Sequence, residues 1–304
     1  MSKSILTRRA VLLIGGLLVA SLGFNAPLAS AQDAKADSWI ISADQARALI
    51  EKGALVVDMR NRDMRAETPI DGAVAAAWQD FSEADRARRG SLLSDDQKLT
   101  EQFQKIGVSK TIPVIALGVP MKGWGEDGRL VWSLRDTGHD QSYLVDGGAE
   151  ALIGGGPLSI QSAKMPGDFV VERQRAASVT KEEVLASLSK PKVVILDTRE
   201  PREYQGETPY GEARGGHIPG AKHLYFRNLM DEQGKLLQGE ALQAVLKPLG
   251  IDEDTTVISY CTAGIRSAYV TAVLRDQGID AKNYDASMSE WAAADPAVYP
   301  VEKP

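Results

Sequence analysis

Two halves of this chain carry the same short motifs in the same order, and that repetition limits its fold more than any other feature. Ile41-Ser42-Ala-Asp-Gln45 opens a helical pattern (Ala46, Leu49, Ile50) and leads into Ala54-Leu-Val-Val-Asp58-Met-Arg60. Val179-Thr180-Lys-Glu-Glu183 opens another (Val184, Leu185, Leu188) and leads into Val193-Val-Ile-Leu-Asp197-Thr-Arg199. Each opening is a capping box, in which a hydroxyl and a Gln or Glu three residues on satisfy free amides at a helix N-terminus. Each apolar run ending in Asp has the length and character of a buried parallel strand. Pro113–Leu117 and Val257–Tyr260 supply a second such strand in each half. Leu134-Arg-Asp-Thr-Gly-His-Asp140 then matches Leu274-Arg-Asp-Gln-Gly-Ile-Asp280 at five of seven positions, and Tyr143-Leu-Val-Asp146 aligns with Asn283-Tyr-Asp285. Strands alternating with helices predict an α/β fold, duplicated, with each copy a mostly parallel sheet covered by helices on both faces.

Between the copies, Ile153 to Asp168 holds four glycines and two prolines in sixteen residues, which reads as a linker and not a packed element. The expected boundaries are a first domain over 38–153, a linker over 154–176 and a second domain over 177–304. Ahead of them, Lys3, Arg8 and Arg9 precede an uncharged run with an apolar heart from Val11 to Phe24, then Ala29-Ser30-Ala31. This is the composition of a secretory signal peptide over 1–31, and Thr7-Arg8-Arg9-Ala10-Val11-Leu12 resembles a twin-arginine signal. The expected location is the periplasm or the exterior, with no membrane association after cleavage. Losing three positive and no negative charges moves the net charge from −6 to −9, which argues against nucleic acid as a partner. A single cysteine excludes an internal disulfide, so Cys261 is a free thiol, to be buried or used.

Cys261 follows the strand Val257–Tyr260 and precedes a helical pattern beginning near Ser267, at the strand edge where open α/β sheets bind ligands. The amides of Thr262, Ala263, Gly264, Ile265 and Arg266 are expected to form a concave anion cradle, with Gly264 supplying the left-handed turn. A thiol there has its pKa lowered by amides, helix dipole and Arg266. Four motifs together, Asp197-Thr-Arg199, Gly215-Gly-His217-Ile-Pro-Gly-Ala221, Tyr260-Cys-Thr-Ala-Gly-Ile-Arg-Ser267 and Tyr284-Asp-Ala-Ser-Met-Ser-Glu-Trp291, resemble the rhodanese family of sulfurtransferases. The resemblance covers the second half and, through the repeat, extends to the first: two tandem rhodanese-like domains.

The resemblance implies that Cys261 takes the outer sulfur of a small donor anion, thiosulfate or 3-mercaptopyruvate, as a persulfide. It then passes that sulfur to a thiol or cyanide acceptor, with no cofactor. Four residues separate Cys261 from Arg266, where cysteine phosphatases that resemble this site have five. The smaller cradle suits a sulfur atom better than a tetrahedral phosphate, so a phosphatase or arsenate reductase is disfavoured. A non-catalytic persulfide carrier or redox partner is the alternative from another class.

In the first copy the position of Cys261 is taken by Gly118, and the GHIPGA motif has decayed to Pro69-Ile-Asp-Gly72-Ala-Val, so this domain is expected to be catalytically inactive. Lys122 and Trp124 in its loop either reach the pocket of the second copy or are solvated. Some thiosulfate enzymes carry an arginine near the position of Glu203; Arg202 and Arg214 are the candidates to hold the donor anion in its place. Asp197 and Arg199 are expected as a structural pair near the loop, and His217 as a residue shaping the turn before a strand. No histidine has partners at metal-ligand spacing, so no metal is expected. Ala286 and Met288 replace a glycine and a tryptophan common in the family, which implies an altered pocket wall.

Overall fold

The computed structural model describes residue 1 and residues 37–161, 163 and 165–303; the expected signal segment otherwise lies outside the described residues. The first copy runs β1 (Ile40–Ile41), α1 (Ala43–Glu51), β2 (Leu55–Asp58), α2 (Arg62–Glu67), β3 (Val74–Ala75), α3 (Asp96–Lys105), β4 (Val114–Leu117), α4 (Glu126–Asp136), β5 (Ser142–Val145) and α5 (Gly148–Gly154). The second runs α6 (Lys181–Leu185), β6 (Val193–Asp197), α7 (Pro201–Tyr204), β7 (Lys222–His223), α8 (Gly239–Leu246), β8 (Thr256–Tyr260), α9 (Ile265–Asp276), β9 (Asp280–Asn283) and α10 (Ser287–Trp291).

The first sheet has the order β1-β5-β4-β2-β3 and the second β9-β8-β6-β7, the same order once the missing first strand is allowed for. Each pairing between these strands is parallel. A single parallel bridge from Ser178 to Asn283 stands where β1 pairs with β5 in the first copy. Both capping boxes form, at Ser42 with Gln45 and at Thr180 with Glu183. The helix after Thr180 stops at Leu185, short of the Leu188 that the apolar pattern includes.

The copies join through α4 and α9, which are buried along nearly their whole lengths. Each is covered by its own sheet and by the partner helix, so burial extends beyond a single face. Their close approach needs Gly128: a Cβ there would lie 2.5 Å from the Tyr269 Cα. One continuous core spans the junction and includes Leu130 and Trp132 of the first copy with Leu196, Phe226 and Val270 of the second.

The linker departs from the expectation of an unpacked segment. Phe169 is 3% exposed and stacks edge-on against Phe103, and its amide donates to the Val108 carbonyl (3.2 Å). Val171 is also buried. Glycine and proline mark where the chain leaves regular structure, but two apolar side chains are enough to lay the following extended segment on the first copy's core.

Candidate functional site

The tight turn between β8 and α9 places Cys261 at the floor of a cleft of about 530 Å³. Gly264 caps α9 with φ +77°, the left-handed geometry expected of it, and its amide donates to the Cys261 Sγ at 3.1 Å. A Cβ on Gly264 would lie 2.2 Å from the Asp285 carbonyl oxygen, so any larger residue would push the loop off its support. The Tyr284–Trp291 segment holds the loop from behind: Ser287 Oγ accepts from the Cys261 amide (3.0 Å), and the Met288 and Ser289 amides donate to the Cys261 and Thr262 carbonyls. Ala286 and Met288 are core residues of this support, not cleft lining as the family comparison of their positions implied.

The thiol is 1% exposed, and burial by itself would push its pKa up. Arg266, the Ser267 amide and hydroxyl, and the Ala263 amide together outweigh burial and hold the thiol below its ordinary value. Thiolate is therefore populated at a pH where an unassisted thiol would be protonated.

Arg266 is itself tied down. Its guanidinium makes a two-pronged ion pair with Glu203 (2.6 and 2.9 Å), both side chains almost fully buried, and donates to Thr262 Oγ1 (2.9 Å). Thr262 Oγ1 lies 2.6 Å from Glu203 and 3.2 Å from Glu212. Burial opposes the Glu203 charge, but Arg266 prevails and keeps that carboxylate ionised, its pKa below the ordinary value. Glu203, read in the sequence only as the absence of an arginine, is thus the residue that aims Arg266. The planar fork matches the carboxylate in a way lysine could not.

The remaining candidates divide. Ala263 and Ile265 line the cleft with Thr262 and Arg266. Arg214 does not belong there: its guanidinium is used on the carbonyls of Trp291, Ala292, Ala294 and Tyr299, tying the C-terminal segment to the domain. Arg202 is an exposed partner of Glu200 (2.8 Å), and it too lies off the cleft wall. Asp197 and Arg199 form a buried two-pronged pair, with the Tyr260 hydroxyl donating to Asp197 (2.7 Å) and Arg199 to the Gly216 carbonyl (2.8 Å). His217 stacks on Tyr204 at 3.9 Å, and its backbone bridges to Glu302. Among the described residues no cluster of three or more His, Cys, Asp or Glu is placed to hold a metal.

Much of the cleft belongs to the first copy, of which the sequence reading had offered Trp124 and Lys122 as possible wall residues and had not placed the rest. Met59, Arg60, Arg62, Arg65, Trp78 and Arg89 line it, and so do Trp124 and Glu126. Trp124 packs its ring 5.0 Å from the Arg266 guanidinium, whereas Lys122 is solvated and pairs with Glu150 (3.4 Å). Arg129 reaches further, being 1% exposed and donating to the carbonyls of Gly90 (2.6 Å) and Gly264 (3.4 Å), so it touches the cysteine loop itself. Its local context gives no hint of this, because the partner lies 135 residues away.

Residues 180–294 match the sequence model of the rhodanese-like domain. The chain is 28% identical over 245 residues to a thiosulfate sulfurtransferase of Pseudomonas aeruginosa, covering 78% of this chain and 87% of that protein. It is 29% identical over 211 residues to the sulfur carrier protein TtuD of Thermus thermophilus, covering 64% and 73%. The second copy of this chain is a rhodanese-like domain. The rhodanese fold is also that of the Escherichia coli 3-mercaptopyruvate sulfotransferase SseA, which aligns over 82% of this chain and 98% of its own with a TM-score of 0.69 at 22% identity.

In the first copy a carboxyl occupies the space beside Gly118, the position that corresponds to Cys261. A Cβ on Gly118 would lie 2.5 Å from the Asp127 carboxyl carbon. That carboxyl is fully buried, one oxygen has no hydrogen-bond partner among the described residues, and burial raises its pKa to about 7. It keeps its proton in the folded chain while the unfolded chain ionises near 3.8, so stability falls as pH rises from about 4 to about 7 and is level above. Asp127→Asn should flatten that slope and raise stability at pH 8 by up to roughly 4 kcal/mol. Urea unfolding of both proteins at pH 5 and pH 8 checks this; parallel pH profiles would refute it.

Proposed function

We propose that this protein is a sulfurtransferase that carries sulfane sulfur as a persulfide on Cys261, with thiosulfate as the favoured donor. The observation that carries the reading is a buried thiol on the floor of a cleft, receiving an amide at 3.1 Å and held below its ordinary pKa by Arg266. The thiolate attacks the outer sulfur of thiosulfate, the donor S–S bond breaks, and sulfite departs with the bonding electron pair. Loop amides and the start of α9, a helix of twelve residues, stabilise charge on the persulfide. Relatives named thiosulfate sulfurtransferase support this donor, and cationic side chains around the cleft suit a dianion. The signal-like segment at 1–31 supports export to the periplasm or beyond, where the acceptor would be met.

Steady-state rates with thiosulfate and 3-mercaptopyruvate, each with cyanide and with a dithiol, test the reading. The expected result is turnover with both donors and a higher kcat/KM for thiosulfate. Glu126, whose carboxyl burial raises, brings an acid into the cleft that the sequence did not announce, so an aryl phosphate belongs in the same assay. Hydrolysis of that ester in place of sulfur transfer would overturn the proposal. Slow turnover with every donor, alongside a persulfide on the purified protein, would favour the carrier reading that the similarity to TtuD also supports.

A further inference from the structure

Thiosulfate is a five-atom anion, yet the cleft above Cys261 measures about 530 Å³, within the ~300–1,000 Å³ that accommodates drug-sized ligands. Its far wall, from the inactive copy, is cationic in a chain whose net charge is −6. The guanidinium groups on that wall are not equally occupied. Arg60 is paired within the fold to Asp58 (2.7 Å). Among the described residues Arg65 donates only to main-chain carbonyls, those of Asp58, Arg60 and Ala76, and its charge meets no carboxylate there. Among the described residues Arg62 has a single partner in Asp63 at 3.4 Å, with both side chains more than four-fifths exposed. Arg89 has no acceptor among the described residues; its guanidinium stands 6.0 Å from the centre of the Trp78 ring. The only carboxylate among the lining residues, Glu126, already accepts from the Trp124 amide (2.7 Å).

The backbone beside Arg89 is held against the cysteine loop. The neighbouring Gly90 packs on the Ala263 carbonyl so closely that a Cβ would lie 2.0 Å from the oxygen, and the Gly90 carbonyl accepts from Arg129. We infer that Arg89, Arg62 and Arg65, with the Trp78 face, form a binding site for the carboxylate end of the sulfur acceptor: a low-molecular-weight thiol of peptide size. The inference rests on the persulfide reading above. With the persulfide at the cleft floor, a slim thiol arm reaches it while the carboxylates remain at the wall. The acceptor sulfur attacks the outer sulfur, the bond from that sulfur to Sγ breaks, and its electron pair returns to Sγ. The thiol proton passes to the transferred sulfur, leaving a thiolate at Cys261 and a hydropersulfide on the acceptor, with no external oxidant or reductant.

The test loads the full chain with thiosulfate and follows loss of the sulfur from Cys261 by intact mass. Glutathione and its diethyl ester serve as acceptors, matched in everything except the carboxylates. The expected ratio of second-order rate constants, at equal thiolate concentration and low salt, is about five- to tenfold in favour of the free acid, shrinking at high salt. In the double variant Arg62→Gln/Arg89→Gln, both exposed positions that the fold does not need, the ratio should fall to near one. A ratio near one in the unmodified protein would overturn the assignment, and so would a large ratio that survives both substitutions. In either case sulfur loading at Cys261 would stand. Failure to load any sulfur would instead sink the persulfide reading and this assignment with it.

Discussion

Cys261→Ser should abolish sulfur loading: thiosulfate adds one sulfur atom to the intact mass of the unmodified protein and none to the variant. The turnover loss should be on the order of 10⁴-fold or more, the scale seen when a covalent nucleophile is removed. The substitution is close to isosteric at a site 1% exposed, and Ser287, Met288 and Ser289 hold the loop by its main-chain atoms and not by the Cys261 side chain, so the fold should persist. Retained unfolding midpoint with lost loading is the expected combination. Sulfur transfer persisting in the variant would remove Cys261 from the mechanism, since the chain has no second thiol to substitute for it.

Arg266→Ala should damage both stability and reactivity, for separable reasons. It strands Glu203, fully buried, without its two-pronged partner, and breaking a buried pair from one side typically costs about 3–5 kcal/mol. It also removes the leading influence that opposes burial at the thiol, so the thiol pKa rises. Because the folded-state pKa is depressed in the unmodified protein, loading is complete at high pH and declines as pH falls through that lowered value. In the variant the decline should move to higher pH. Glu203→Gln combined with Arg266→Met removes both charges together and should recover most of the stability without restoring the low thiol pKa. Urea unfolding and the pH dependence of sulfur loading, measured on all three proteins, distinguish the two effects. A double variant with a normal loading profile would show that Arg266 serves the fold and not the thiol.

The Asp127 and Glu203 carboxyls illustrate opposite answers to the same burial. Glu203 meets a guanidinium and stays charged; Asp127 meets main-chain amides, burial dominates, and it takes up a proton. The first occurs in the copy that kept its thiol. The second occurs where glycine replaced it and the helix carboxyl moved into the space a side chain would need.

The sequence by itself determined the duplication, the parallel strands ending in Asp58 and Asp197, both capping boxes, and the strand–turn–helix that presents Cys261. These are local patterns: apolar period, a hydroxyl three residues from a Gln or Glu, and a glycine in a five-residue turn. Each depends on neighbours within one or two helical turns. The tertiary structure alone decided what surrounds the thiol. Glu203 finds Arg266 across 63 residues, Arg129 finds Gly264 across 135, and Arg89 faces the cleft only because α4 and α9 pack closely enough to seat one copy on the other. It likewise assigned Arg214 to main-chain carbonyls instead of a donor anion, and buried Phe169 in what had the composition of a free linker. An arginine's charge is visible in a sequence, but whether a carboxylate, a carbonyl or open cleft receives it depends on which distant segments packing brings within about 4 Å.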